Sequence, residues 1–214
     1  MAFDYKKEYK EFYQPKDKPE IIMIPRLNYL AVRGKGDPNA EDGAYKKALE
    51  LLYGVAYTLK MSHKTTYKIA GFFEYVVPPL EGFWWQDESS GIDYTRKADL
   101  NFISLIRLPD FVREEDFDWA IKSATQKKKC DHSQVEFFTY DEGLSVQCLH
   151  IGSYDDEPLT VKRMEDYAIE NGYVIDISTS RYHHEIYLSD PRKSEIDKLK
   201  TVIRHPIKKK EEVE

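Results

Sequence analysis

Cysteine and long apolar runs are both scarce in this sequence, and each scarcity argues against a class of protein. Its 214 residues include two cysteines, Cys130 and Cys148, whose spacing fits neither a disulfide framework nor a zinc site. No apolar run approaches the roughly 18–20 residues that span a bilayer. The first 20 residues lack the apolar centre of a secretory signal. We therefore predict a cytoplasmic protein with no membrane partner.

The sequence also lacks a net positive charge, since its formal net charge is −6. A nucleic-acid-binding protein concentrates basic residues on one face, and here only the lysine runs at 127–129 and 208–210 stand out. We expect no nucleic-acid partner. The six histidines have no metal-ligand spacing, and no phosphate-binding glycine loop is present. We predict neither a metal nor a cofactor.

Aromatic residues, in contrast, are abundant: 16 Tyr, 10 Phe and 3 Trp. Such residues suit either an aromatic core or a stacking pocket for a flat ligand. The segment EGFWW (81–85) is the densest example, and Trp84 and Trp85 point to opposite faces of any strand that holds them. Composition alone leaves both alternatives open.

Hydrophobic periodicity divides the chain into a charged N-terminal arm (1–20), one domain (21–207) and a charged tail (208–214). We predict that the arm is extended, and that 133–143 and 144–154 form a hairpin. The pattern also predicts a break at Pro25 and two short strands within 69–88. Further predicted strands lie at 21–34, 98–112, 182–188 and 199–207, and predicted helices at 41–64, 113–128 and 157–172.

The two halves, about 21–128 and 133–207, repeat one order of strand, glycine turn, acidic residues and amphipathic helix. This duplication predicts an α+β domain with helices on one face of an antiparallel sheet. The strand NFISLIRL carries large apolar groups on both sides, for example Phe102 and Ile103. One side packs under helices, and we expect a partner subunit, a long loop or a ligand to cover the other.

The segment RYHHEIYLSDPRK (181–193) contains the strongest candidate site. Its alternation places Tyr182, His184, Ile186 and Leu188 on one face of a strand. The other face has a carboxylate between two hydrogen-bonding rings, in the residues His183, Glu185 and Tyr187.

The sequence resembles the GyrI-like small-molecule-binding family over nearly its whole length. The resemblance rests on PRLNYLAVRGKGDPN, VVPPLEGFWW, FISLIRLPDFV, LHIGSYDDEP and above all HHEIYLSDPRK. It implies two β-α-β-β units related by a pseudo-two-fold axis, with a ligand groove on the sheet face opposite the helices. The family's central groove carboxylate matches Glu185.

Some stand-alone relatives hydrolyse cyclopropanoid genotoxins, which are DNA-alkylating compounds with a strained ring on a flat aromatic framework. The aromatic residues here resemble that subset. The resemblance implies that Glu185 acts as a general base on water, and that Tyr187 or His183 donates a hydrogen bond to the substrate carbonyl. Trp84, Trp85 and Phe102 would stack against the flat framework.

Three interpretations of Glu185 remain open on the sequence. It is a solvent-facing charge, a partner for a cationic flat ligand, or a base whose pKa burial raises. We predict an aromatic small-molecule ligand and hydrolytic detoxification. The alternatives are a non-catalytic multidrug-binding or sequestering protein and a gyrase-inhibitor-like protein.

Overall fold

A computed structural model describes residues 2–87 and 91–210. Six antiparallel strands pair in the order β4-β1-β3-β2-β6-β7, and pairing of β7 with β4 closes them into a barrel. A seventh strand, β5, extends the sheet beyond β7. The strands are β1 (Glu20–Lys35), β2 (Leu80–Gln86), β3 (Leu100–Arg107), β4 (Glu136–Ile151), β5 (Tyr173–Ile175), β6 (His183–Tyr187) and β7 (Lys200–Lys209).

Three long helices pack on the outside of this barrel. The buried residues of one of them, including Ala48, Leu52 and Leu59, recur at helical spacing and face the strand residues Leu30 and Phe102. Each large side chain buried there contributes about 1.5–3 kcal/mol. Within the described ranges, none of the helices has the length and apolar character to span a bilayer. The helices are α1 (Tyr5–Glu8), α2 (Lys10–Tyr13), α3 (Ala44–Lys60), α4 (Glu114–Lys128) and α5 (Glu157–Glu170).

The α+β class, the duplicated units and the antiparallel sheet are confirmed, but several predicted elements differ. The predicted hairpin is wrong, because 136–151 is one continuous strand. Gly143 adopts a positive φ of 69° inside it, and the pairing with β1 keeps one register on both sides of this glycine. β1 runs through Pro25 without a break, and of the two strands predicted in 69–88 only β2 forms within the described residues 69–87.

Closure of the barrel covers the second face of the sheet. Phe102 and Ile106 pack outward in the core under α3 and α4. Ile103 and Leu105 point into the barrel and pack with Phe83. The expected cover by a partner, a loop or a ligand is therefore replaced by the opposite wall of the same sheet.

Barrel closure also moves the groove from its expected position. Glu185 pairs in register with Gly82 and Ile203, and Ile203 packs in the core beneath α5. Glu185 therefore points to the same outer face as the helices. The predicted groove on the face opposite the helices is wrong, since that face is the barrel interior.

The barrel interior holds a buried cluster of charged groups. Glu142 accepts from His184 Nδ1 at 2.9 Å and from Arg204 Nη1 at 2.9 Å. His184 Nε2 lies 3.0 Å from Glu81, whose other oxygen accepts from the hydroxyl of Tyr13 at 3.3 Å. Two carboxylates thus face a guanidinium and an imidazolium. Burial would raise the pKa of Glu142, but Arg204 and then His184 outweigh it and lower that pKa to about 2.

The N-terminal arm contributes to this interior. Residues 5–13 form α1 and α2 and not an extended segment, and Tyr5 and Tyr13 pack with Ile186 and Val202. At the other terminus, Lys208 and Lys209 continue β7. Residues 211–214 of the predicted tail, like Met1 of the arm, lie outside the described residues.

Candidate functional site

A cavity of about 1750 Å³ opens on the outer face of β2 and β6, between α3 and α5. Its size exceeds the roughly 300–1,000 Å³ typical of a pocket for a drug-sized ligand. Its inner wall is largely aromatic, and two carboxylates lie among the rings. The cavity is lined by, among others, Tyr45, Trp84, Tyr94, Tyr154, Glu157, Glu185 and Tyr187.

Glu185 lies on this wall with 8% of its surface exposed. Its Oε1 is 2.9 Å from His183 Nε2, and His183 Nδ1 is 2.6 Å from Nε2 of His205 on the neighbouring strand β7. Both histidines are 3% exposed. The rings therefore fix one oxygen of the Glu185 carboxyl group from below.

Glu157 is the second carboxylate, supplied by the first residue of α5. It is fully buried; one oxygen accepts from the hydroxyl of Tyr94 at 3.3 Å, and Oε1 has no hydrogen-bond partner within the described residues. Burial, and next the charge of Glu185, raise the pKa of Glu157 well above its ordinary value. The raised pKa keeps a proton on Glu157, next to the Glu185 carboxyl group.

Trp84 and Tyr187 form the aromatic floor of the cavity beside Glu185. The Trp84 indole Nε1–H donates to the Tyr187 hydroxyl at 2.8 Å. Both side chains cross over Gly82, where a Cβ atom would lie 2.7 Å from Trp84 Nε1 and 3.2 Å from the hydroxyl of Tyr187. A glycine is therefore required at position 82. Burial, and next Glu185, raise the pKa of Tyr187, so the hydroxyl stays protonated.

The structure brings together four of the six residues that the sequence predicts for the site. Glu185, Tyr187 and Trp84 line the cavity, and His183 lies beneath Glu185. Phe102 is fully buried behind Trp84, with ring centroids 5.8 Å apart. Trp85 points to the opposite face and packs on Tyr182. Its predicted stacking role does not fit this placement.

Sequence reasoning missed Glu157, Tyr154, Tyr94 and Tyr45. Glu157 and Tyr154 lie within LHIGSYDDEP, a segment that carried the family resemblance, so the signal was present but was assigned to no site. Tyr45 comes from α3, where its ring packs at 5.3 Å against Trp84. Burial, and next Glu185, raise the pKa of Tyr154 to about 12.

Glu157, His183 and Glu185 are close enough together for a shared cation. One potential ligand atom from each lies within 4.8 Å of the others. We assign no metal to them, because the 2.9 Å contact between His183 and Glu185 is a hydrogen bond and a proton on Glu157 relieves the repulsion between the carboxylates. The arrangement suits proton transfer.

Comparisons with known proteins agree with this architecture. The model of the GyrI-like small molecule binding domain matches residues 17–208. A crystal structure of a hydrolase from Listeria innocua is 43% identical with a TM-score of 0.88, and the match covers 97% of this chain and all of that one. An uncharacterized conserved protein from the same organism is 44% identical with a TM-score of 0.90 over the same shares.

A more distant likeness shows the fold alone. The C-terminal domain of EcmrR is 13% identical with a TM-score of 0.54, and the match covers 90% of this chain and 98% of that one. None of the curated proteins matches the chain. The family match over nearly the whole chain, together with the two Listeria relatives, shows that this protein belongs to the GyrI-like small-molecule-binding family.

Proposed function

We propose that the protein binds flat hydrophobic molecules in the cavity between α3 and α5 and detoxifies them by hydrolysis. The proposed substrates are cyclopropanoid genotoxins, whose strained ring opens when water adds. One observation carries the proposal: the carboxyl groups of Glu185 and Glu157 lie side by side in an aromatic cavity, and burial and the neighbouring Glu185 raise the pKa of Glu157, an arrangement typical of acid–base sites.

Binding would rest on the aromatic walls. Trp84 and Tyr45 form one tilted pair, and Tyr154 meets Tyr187 edge to face with ring centroids 6.0 Å apart. A flat framework between these rings would gain stacking energy and displace water from the carboxylates.

Hydrolysis would use Glu185 as the general base. Glu185 takes a proton from water while the water oxygen bonds to a ring carbon. The strained C–C bond breaks, and its electron pair moves through the conjugated framework to the substrate carbonyl oxygen. That oxygen takes up a proton on release, and Glu185 gives its proton up. The product is therefore the substrate plus one water.

Tyr187 would stabilise the negative charge on that oxygen. Its hydroxyl accepts the Trp84 N–H, so its own hydrogen remains for donation. His183, predicted as the other donor, lies beneath Glu185 and bonds to it, so we assign it to holding the base. The description of the 43% identical Listeria protein as a hydrolase supports a hydrolytic function.

The proposal is tested with a cyclopropanoid alkylator as substrate, using mass spectrometry to detect the gain of one water. For Glu185→Gln we expect turnover to fall by about 10²–10⁴-fold, the contribution of a general base. Binding of the compound, measured by the quenching of tryptophan fluorescence, should change little. The control is Glu114→Gln, an exposed glutamate on α4, which should behave as wild type.

Two outcomes would contradict hydrolysis. If wild type binds the compound and adds no water, the protein is a sequestering protein. If Glu185→Gln loses only the binding of cationic flat ligands, the carboxylate pair serves recognition. Stable association with gyrase in a pull-down would favour the gyrase-inhibitor alternative.

A further inference from the structure

A line of titratable groups leads from the cavity to the outer side of α5. It begins at Glu185, passes through His183 and His205, and ends at Glu165 of α5. Its three gaps measure 2.9 Å from Glu185 Oε1 to His183 Nε2, 2.6 Å from His183 Nδ1 to His205 Nε2, and 3.2 Å from His205 Nδ1 to Glu165 Oε1.

Burial changes sharply along this line. The side chains of Glu185, His183 and His205 are 11%, 4% and 3% exposed, whereas that of Glu165 is 37% exposed. Glu165 does not line the cavity that Glu157 and Glu185 share. The line therefore connects the floor of the cavity to solvent at a second place.

We propose that Glu165, His205 and His183 form a proton relay that connects Glu185 to solvent outside the cavity. The inference rests on the proposed role of Glu185 as a base. A flat substrate stacked on the aromatic walls closes the direct path from Glu185 to water, so the proton taken from the attacking water needs another exit. The three relay residues act through Glu185 and do not touch the substrate.

The direction of the relay follows from donor and acceptor counting. An ionised Glu165 accepts, so His205 carries its proton on Nδ1, and its Nε2 accepts from His183 Nδ1–H. His183 Nε2 then carries no proton, and it accepts a hydrogen bond from the Glu185 carboxyl group once that group has taken the proton of the attacking water. At that stage each of the three gaps holds one proton. When each proton crosses its own gap, one proton passes in effect from Glu185 to Glu165, which releases it to water.

The outermost gap controls the relay. His205 Nδ1 and Glu165 Oε1 lie at ion-pair distance, yet the buried Nδ1 has no partner with hydrogen-bond geometry in the part of the chain that the structure describes. Rotation of the half-exposed Glu165 side chain closes this gap. Burial lowers the pKa of His205, and the Glu165 carboxylate opposes that effect.

Other titratable groups also face the relay and set its charge. Glu157 faces Glu185 from α5, and its raised pKa keeps it protonated. Four tyrosines around Glu185 have raised pKa values and stay neutral; they are Tyr45, Tyr94, Tyr154 and Tyr187. The mobile charge therefore lies on Glu185, the two histidines and Glu165.

The test compares Glu165→Gln with Glu170→Gln, an exposed glutamate on the same helix. Side-chain ¹⁵N NMR of the histidines, recorded against pH on the intact protein, needs no substrate. In wild type and Glu170→Gln, His183 and His205 should titrate together. In Glu165→Gln the loss of an anion disfavours the imidazolium, so both signals should titrate at lower pH. Glu165→Asp should restore part of the shift.

The second readout is the pH profile of turnover with the cyclopropanoid alkylator. For Glu165→Gln we expect kcat to fall by about tenfold, a fraction of what general base catalysis supplies, with KM unchanged. If Glu165→Gln matches Glu170→Gln in both measurements, the relay is refuted. If wild type shows no hydrolysis, the proposed function fails, and the NMR titration alone still decides whether the histidines are coupled to Glu165.

Discussion

Two clusters of carboxylates and histidines occupy opposite faces of the same strand, β6, and they differ in how their charges are balanced. On the inner face, His184 bonds to Glu81 and Glu142, and Arg204 completes the set. On the outer face, His183 and Glu185 meet Glu157, whose Oε1 has no hydrogen-bond partner among the described residues.

This difference indicates that the inner cluster stabilises the fold and that the outer cluster serves chemistry. A buried cluster with every charge paired holds the strands that it joins in one arrangement. A buried carboxylate pair without a full set of donors is destabilising, and such sites are typical of ligand binding or proton transfer. We infer that alternate residues of one strand divide the two tasks.

The largest expected effect comes from breaking the inner cluster. Arg204→Met removes the guanidinium that bonds to Glu142 and to Gln147 and leaves a buried charge unpaired. We expect a loss of about 3–5 kcal/mol in the free energy of unfolding, measured by urea denaturation. Arg33→Met, which removes an exposed ion pair with Glu136, should cost at most about 1 kcal/mol.

Equal losses for the two arginine variants would refute the structural role of the inner cluster. The double variant Arg204→Met with Glu142→Gln should recover part of the stability, since it also removes the unpaired charge.

Acid should weaken the inner cluster through Glu142. The pKa of this residue is about 2 in the folded protein against an ordinary value of 4.5, so its contribution is complete above pH 4.5. It is lost as the pH falls from there towards 2, and it amounts to roughly 3 kcal/mol. His184, whose pKa is raised, is protonated in both states in this range. The measurement is the free energy of unfolding between pH 6 and 3.

Comparison with Glu142→Gln separates the contribution of Glu142 to the pH dependence from that of the other carboxylates. That variant should show a shallower pH dependence than wild type, whereas Glu136→Gln at the surface should keep the wild-type slope. A Glu142→Gln slope equal to that of wild type would contradict the assignment.

The smallest expected effect on the free energy of unfolding is a gain in stability, and it comes from a substitution in the outer cluster. Glu157→Gln replaces an incompletely bonded carboxyl whose pKa is raised. A raised carboxyl pKa costs stability as the pH rises above the ordinary value. We therefore expect the variant to gain about 1 kcal/mol near pH 7 and nothing near pH 4, measured by urea denaturation.

Glu170→Gln on the same helix serves as the control and should change little at either pH. Destabilisation by Glu157→Gln at pH 7 would show that the outer cluster stabilises the fold as the inner one does, and would remove the contrast between them.

Much of the fold was predictable because it depends on local periodicity. The helix predicted at 41–64 forms as α3, and its apolar residues Ala48, Leu52 and Leu59, which recur at helical spacing, are buried. The continuation of β4 through Gly143 was not predictable, because the same residues can also reverse a strand. Only the pairing of 136–147 with β1 and of 145–151 with β7 decides between the two.

Local sequence alone was enough to place His183, Glu185 and Tyr187 on one face of β6 and His184 on the other, because alternation is a property of any strand. The segments that carry the family resemblance could also be identified from the sequence. What each face of the strand contacts depends on how the whole chain packs. Closure of the barrel put His184 among buried charges, and the register of β2 on β6 placed Trp84, not Trp85, beside the site. It also brought Glu157 from the start of α5 to Glu185, because contacts between segments distant in the chain depend on packing and leave no trace in local periodicity.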